Sequence, residues 1–315
     1  MELMLSVCVV TYNHEKYIKE CINSILAQDM KFDYEILVGD DCSTDETVKQ
    51  LQEYKDKIKI IQRCENLGLC ANTYDLFMRA KGKYVFTIAG DDYLYGSHIL
   101  RKHVEFLEEN AEYYMVSGWN YLLDMHSGEL RKCNYCSNEM DYSLRDFLLD
   151  SGVIVAEGTM RNTFVEDKKW NGFLCEGAKN NEEMKLWFYI LNKGKINIRP
   201  EQFYVYRYVN KKGEASNYNS THTTAEMFKD YYVDLTMLRS KFGKQYNFNL
   251  LILHLSNKFL IMSGAKIGDM YKVLSIMKVH DVFRLLLYKI YLKTHSYEEP
   301  KWSRVNLIKK EGSNR

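Results

Sequence analysis

Three short clusters in the first hundred residues carry side chains that could do chemistry: Thr11-Tyr12-Asn13, Asp40-Asp41-Cys42-Ser43-Thr44-Asp45 and Gly90-Asp91-Asp92. Asp91 and Asp92 are hard oxygen ligands suited to Mg²⁺ or Mn²⁺, ions that bridge carboxylate to phosphate and offset charge growing on a leaving group. Asp41 offers acceptors to N–H or hydroxyl groups in a partly dry cleft, and Tyr12 offers an aromatic face. Each cluster alone has a plainer reading. Asp40-Asp41 ahead of Ser43-Thr44 fits a turn that caps a helix, Asp91-Asp92 fits a solvated turn, and Tyr12 fits a packing residue. Their order along the chain, each at the end of an apolar run, favours a common site.

The elements that must position them follow from the hydrophobic pattern. Leu5 to Val10 reads as a strand, with Tyr17, Ile18, Cys21, Ile22, Ile25 and Leu26 at helical spacing behind it. Tyr34 to Val38 is a second strand, followed by a helix through Val48 to Tyr54. Ile58 to Gln62 is a third, followed by a turn at Asn66-Leu67-Gly68 and a helix over Ala71 to Ala80. Lys83 to Ile88 is a fourth. Strands alternating with helices imply a mostly parallel sheet, and the clusters fall at strand carboxyl ends, where open α/β sheets bind ligands. Further on, the pattern predicts a helix over His98 to Asn110, a strand near Tyr113 to Ser117 and an irregular polar excursion to residue 141. It then predicts a helix over Glu182 to Leu191 and a strand over Phe203 to Tyr208.

With a T-Y-N turn, a D-D-x-S-T-D turn, an E-N-x-G turn and an acidic pair in this order, residues 5 to 95 resemble the family 2 glycosyltransferases. The resemblance implies an α/β fold of the GT-A type, a Rossmann-like, mostly parallel sheet flanked by helices, with a C-terminal helical extension. It implies an inverting transferase that moves a sugar from a nucleotide donor, preferably a UDP-sugar, to a hydroxyl of a glycan or lipid-linked acceptor. Donor contacts are expected at Thr11, Tyr12, Asn13, Glu15, Asp40, Asp41, Asn66, Asp91 and Arg207, and Mn²⁺ or Mg²⁺ on Asp92 and Asp91. Asn181-Glu182-Glu183 resembles the family's acidic helix start, which sets Glu183 as the catalytic base and Glu182 as the alternative; a base there would take the acceptor's proton as it attacks. An acidic pair is also favoured there by the helix dipole alone. Tyr206-Arg207 resembles the family's Y-R pair. Val10 stands where the family often has proline and Ala89 where it often has a further carboxylate. Tyr208 and Val209 stand where a histidine often follows, with His222 a distant substitute.

Composition bounds the alternatives. Forty-three Lys and Arg against 42 Asp and Glu leave no whole-chain field for nucleic acid. A nucleotidylyltransferase would need a glycine-rich loop after its first strand, and Thr11 to Lys16 contains no glycine; a dehydrogenase would need G-x-G-x-x-G. A nucleotide-sugar binding or scaffold protein without turnover stays open, favoured by Ala89 and the missing histidine. Eight scattered cysteines suggest reduced thiols, with Cys133 and Cys136 the single C-x-x-C pair. The first residues suit a buried strand better than an export signal. The expected organisation is a catalytic domain over 1–212, its donor half 1–95 and acceptor half 96–212, then a helical extension over 213–315. From residue 241 onward, 14 Lys or Arg against five Asp or Glu are interleaved with apolar residues. That pattern suggests peripheral contact with the inner face of a plasma membrane, against the alternatives of packing on the catalytic body or forming a homodimer. The expected location is cytoplasmic.

Overall fold

The structure is a computed structural model that describes residues 2–132, 139–149, 157–167, 172–179, 182–208, 224–243 and 274–294, together with 248, 252 and 271. Cys133, Cys136, Asn181, Val209 and His222 lie outside the described residues.

The first half follows the predicted alternation. Strand β1 (Leu5–Thr11) is buried along its whole length, and helix α1 (Ile18–Leu26) packs on it through Ile18, Cys21, Ile22 and Ile25. Strand β2 (Tyr34–Asp40) leads to α2 (Thr47–Leu51), which tightens into a 3₁₀ turn over Gln52–Tyr54. Strand β3 (Lys59–Gln62) and helix α3 (Leu69–Arg79) come next, then β4 (Tyr84–Ala89) and the two-residue β5 (Tyr93–Leu94). Helix α4 (Ile99–Glu109) buries Leu100, His103, Val104 and Leu107.

Beyond it the pattern is less regular than the α/β alternation suggests. Strand β6 (Tyr113–Asp124) runs well past its predicted end, then pairs with β7 (Leu130–Lys132), so part of the supposed polar excursion is a hairpin. Strand β8 (Met140–Tyr142) and helix α5 (Leu144–Leu149) follow, then β9 (Gly158–Arg161), α6 (Glu182–Leu191) and the long β10 (Lys195–Tyr208). Two further helices, α7 (Thr224–Phe242) and α8 (Val279–Thr294), fit the helical C-terminal reading.

The strands form one sheet in the order β3-β2-β1-β4-β9-β6-β10-β5, with β7 on β6 and β8 on β10. The β3-β2-β1-β4 segment is parallel, as is β6 with β10. Strand β9 runs antiparallel to both β4 and β6. The sheet is therefore mixed, with a parallel N-terminal half. Helix α6 is buried on every side from Met184 to Leu191, not along the single stripe its sequence suggests, because it sits between the sheet and α7. Phe188 lies 5.3 Å, ring to ring, from Phe242, and Ala225, Phe228, Tyr232, Leu235 and Leu238 of α7 join the same core.

Candidate active site

The register of the parallel strands brings the sequence clusters to one edge. Thr11 pairs with Asp40 and Val10 with Ala89, so the residues following β1, β2 and β4 emerge side by side. The seam is tight. A Cβ on Gly90 would lie 2.9 Å from Thr11 Oγ1, His14 Nδ1 and Ile18 Cδ1, so only glycine lets the acidic turn lie against the first loop.

The first two turns are laced together. Asn13, in the left-handed region at φ 57°, accepts the Thr44 N–H on Oδ1 at 2.8 Å and donates its own N–H to Ser43 Oγ at 2.9 Å. The His14 N–H donates to Thr47 Oγ1, the Glu15 N–H to Asp45, and Glu15 accepts the Glu46 N–H at 3.0 Å. Asp40 is fully buried and holds both the hydroxyl and the N–H of Ser43. Asp41 accepts the Leu67 and Gly68 N–H groups, one per oxygen, at 2.9 and 2.8 Å, and Asn66 accepts the Gly68 N–H as well. Asp45 Oδ1 accepts the Thr47 N–H at 2.9 Å, an Asx turn that leads into α2, whose N-cap Glu46 makes no side-chain capping bond. Asp40, Asp41, Asn13, Glu15 and Asn66 therefore brace the turns through their side chains. Of the predicted donor contacts Tyr12, at 41% exposure, Asn13 and Asn66 are exposed.

Arg207, expected among the donor contacts, is braced on every side by the protein itself. Its guanidinium donates to the Asp91 carbonyl and to Glu20, and lies between the rings of Tyr17 and Tyr93 at 4.9 and 4.7 Å. Its N–H donates to Asp92 Oδ1 at 2.9 Å. With the guanidinium turned to Glu20 and a carbonyl, and only 6% of the residue exposed, Arg207 pins β10 to the acidic turn. The aromatic sandwich adds cation–π attraction.

Around that turn the carboxylates converge. Burial, and then the charges of Asp91 and Glu157, push the Asp92 carboxyl well above the usual range. Its Oδ2 is buried without a hydrogen-bond partner, as are Thr11 Oγ1 and His14 Nδ1. The Tyr206 phenol is raised by burial and then by Asp92, Asp91, Glu183 and Glu157, so all four carboxylates act on one hydroxyl. Glu182 is raised to about 7, chiefly by burial. Glu157 is held up by burial and hydrogen-bonded by Tyr204, which is itself raised by burial and by Glu157. Sequence reading brought Asp91, Asp92, Glu182 and Glu183 to this region but missed Glu157, which stands alone ahead of β9. Its one sequence signal is its place at the end of the apolar run Val153-Ile154-Val155-Ala156.

The chain resembles known proteins in sequence and in fold. Residues 6–167, more than half of the chain, match glycosyl transferase family 2. The chain is 36% identical over 112 residues to the poly(ribitol-phosphate) beta-N-acetylglucosaminyltransferase TarS of Staphylococcus aureus, and 38% over 113 residues to a poly(ribitol-phosphate) beta-glucosyltransferase of Bacillus spizizenii. Each alignment takes in 34% of this chain but only 19% and 18% of those relatives, so the chain spans less than a fifth of either. Similarity to the putative teichuronic acid biosynthesis glycosyltransferase TuaG of Bacillus subtilis is 27% over 195 residues, 61% of this chain and 73% of that one. The fold matches the crystal structure of S. aureus TarS 1–349 in complex with UDP-GlcNAc at a TM-score of 0.66 and 18% identity, over 87% of this chain and 79% of that one. The sheet is thus of the GT-A type, and the chain belongs to glycosyl transferase family 2.

Proposed function

We propose that this protein is an inverting glycosyltransferase that moves a hexosyl or N-acetylhexosaminyl group from a UDP-sugar to a hydroxyl of a glycan or lipid-linked acceptor in cell-surface polysaccharide synthesis. The observation that carries the reading is the strand-end edge where Thr11 and Asp40 pair and Gly90 packs against Thr11 and His14, with the buried Asp92 of the next turn held by the Arg207 N–H. The structural neighbours in complex with UDP-GlcNAc and with UDP support a nucleotide-sugar donor.

Within this reading Tyr12 packs on the base, and Asp41 holds the turn at Leu67-Gly68 that walls the nucleotide. Asp91 and Asp92 are the residues that would hold Mn²⁺ or Mg²⁺. The unpartnered, buried Asp92 Oδ2 fits that role, since a cation supplies the charge that its surroundings lack. Among the described residues no group of three metal-ligating side chains stands ready. Magnesium commonly takes one or two carboxylates and completes its shell with substrate phosphates and water, so two ligands suffice. Bound there, the ion would neutralise charge on the departing diphosphate. Glu183 removes the acceptor hydroxyl's proton as the oxygen attacks the anomeric carbon opposite the leaving group, which gives inversion.

We place the enzyme at the cytoplasmic face of a membrane, touching it through the C-terminal helices. No described helix is long and apolar enough to cross a bilayer. Helix α8 nevertheless exposes Val279, Phe283, Leu286, Leu287 and Ile290 on one side, beside Lys278 and Arg284.

The test is nucleotide release across a panel of nucleotide sugars, with and without Mn²⁺. Wild-type protein releases UDP from one donor. Asp92→Ala removes the metal-stimulated part, and Glu183→Ala retains UDP binding while transfer falls by about 10²- to 10⁴-fold, the usual worth of a general base. Transfer at normal rate in either variant rejects that residue's role, and UDP binding without turnover in the wild type would identify a scaffold.

A further inference from the structure

Lys185 lies in the first turn of α6, three residues after Glu182, and is fully buried. Its ammonium donates to the carbonyls of Glu176 at 2.9 Å and Ala178 at 2.7 Å and to Cys70 Sγ at 3.4 Å. It faces Asp234 of α7, also fully buried, at 3.8 Å. Asp234 accepts the Ala178 N–H at 2.8 Å. Ala178 is thereby held at both backbone groups, and its carbonyl also receives the Cys70 thiol. The Cys70 N–H donates to the Lys179 carbonyl at 3.0 Å, just beyond the turn that Asp41 holds. Space for the clamp comes from Gly177, at φ 82°, where a Cβ would lie 2.3 Å from Asp234 Oδ1.

The ion pair thus stands where three elements meet: the nucleotide turn with α3, the start of α6 that bears Glu182 and Glu183, and α7. Two buried charges are a poor device for stability alone, because apolar residues of similar volume serve as well or better. What a pair with fixed hydrogen bonds supplies is geometry, and the charges of both Lys185 and Asp234 reach Glu182. We propose that Lys185 and Asp234 are a positioning pair that fixes the first turn of α6 against the nucleotide turn, which makes α7 a working part of the catalytic unit. The catalytic half of this inference rests on the function proposed above; the structural half does not.

The experiment uses the full chain with the Lys185→Met/Asp234→Leu double variant, and with Asp234→Asn, which keeps an acceptor for Ala178 but removes the charge. Measured are melting temperature, UDP affinity, kcat and KM for the donor, and amide hydrogen exchange at residues 182–185. The expected result for the double variant is a near-native melting temperature and UDP affinity, faster exchange at 182–185, and a kcat lowered about 100-fold, as for a catalytic group displaced by about 1 Å. Donor KM should stay within about threefold of wild type. Unchanged exchange and kcat overturn the proposal, as does a parallel fall of melting temperature, UDP affinity and kcat, which marks a merely structural pair. Should the double variant fail to fold, Asp234→Asn decides by the same criteria. If the wild type transfers no sugar, the functional reading falls while exchange at 182–185 still decides the pair.

Discussion

Glu182 and Gly90 show how single residues set the site's chemistry. The Glu182 carboxyl is raised from 4.5 to about 7 in the folded chain, chiefly by burial, so between those values the folded state holds a proton that the unfolded state has lost. The resulting stabilisation is complete below pH 4.5 and disappears as pH rises through about 7. Glu182→Gln should therefore flatten the fall in unfolding free energy between pH 5 and 8, measured by urea titration at several pH values; an unaltered slope would show that Glu182 titrates normally. Gly90 acts through space alone. Gly90→Ala places a methyl against Thr11, His14 and Ile18 at 2.9 Å, closer than packed carbon tolerates. Overpacking of this kind costs about 1–3 kcal/mol. The expected outcome is a lower urea midpoint together with weaker UDP binding by calorimetry, since the displaced loops are those that wall the nucleotide in the function proposed above.

At the scale of elements, the turns work as one laced structure, and Asp41 ties the Leu67-Gly68 turn into it. Asp41→Ala leaves the Leu67 and Gly68 N–H groups without their acceptor, at a cost of about 1–3 kcal/mol for each donor that stays dry. Faster amide exchange confined to residues 66–70, with an unchanged denaturant slope, is the expected signature; uniform acceleration would mean the turn is not a separate unit. Much of this region was legible in the chain. The period-two and helical patterns of residues 5–95 give β1 to β4 and α1 to α3 within a few residues, because each strand is a short apolar run closed by a turn. The later half was harder to read. Strand β9 is four residues long and pairs antiparallel on both sides, so it shows no one-sided periodicity, whereas α6 spans Glu182–Leu191 as its spacing predicts and only its burial on every side was hidden. The roles of Asp40, Asp41 and Arg207 as braces were likewise invisible, since a carboxylate that holds backbone N–H groups and one that holds a ligand are written with the same letter.

On the scale of the whole molecule, the C-terminal helices join the catalytic core on one side and present an apolar stripe on the other. Asp281, almost fully buried, accepts from Tyr232 at 2.6 Å and from Arg239 at 2.9 Å, which fixes α8 on α7. Leu285, one turn on, is buried on the same side. The opposite side carries Val279, Phe283, Leu286, Leu287 and Ile290, each more than half exposed. Spacing of four, three, one and three residues makes this a stripe along one helical face, and exposed Lys278 and Arg284 flank it. Apolar side chains beside basic ones are the pattern of a helix on an anionic bilayer surface, and on the membrane contact proposed above the stripe would enter the acyl boundary while the cations meet headgroups. In the full-length protein, Phe283→Glu with Leu287→Glu should abolish co-sedimentation with vesicles of mixed zwitterionic and anionic lipid, while turnover on a water-soluble acceptor stays unchanged, because neither residue touches the carboxylate cluster. High salt should weaken wild-type binding without removing it, since the apolar share of the contact is not screened. If the variant instead halves the mass found by sedimentation equilibrium and leaves vesicle binding intact, the stripe is a contact between two copies of this chain. In either case α8 rests on α7 through Asp281 and Leu285, which together set the face that turns outward.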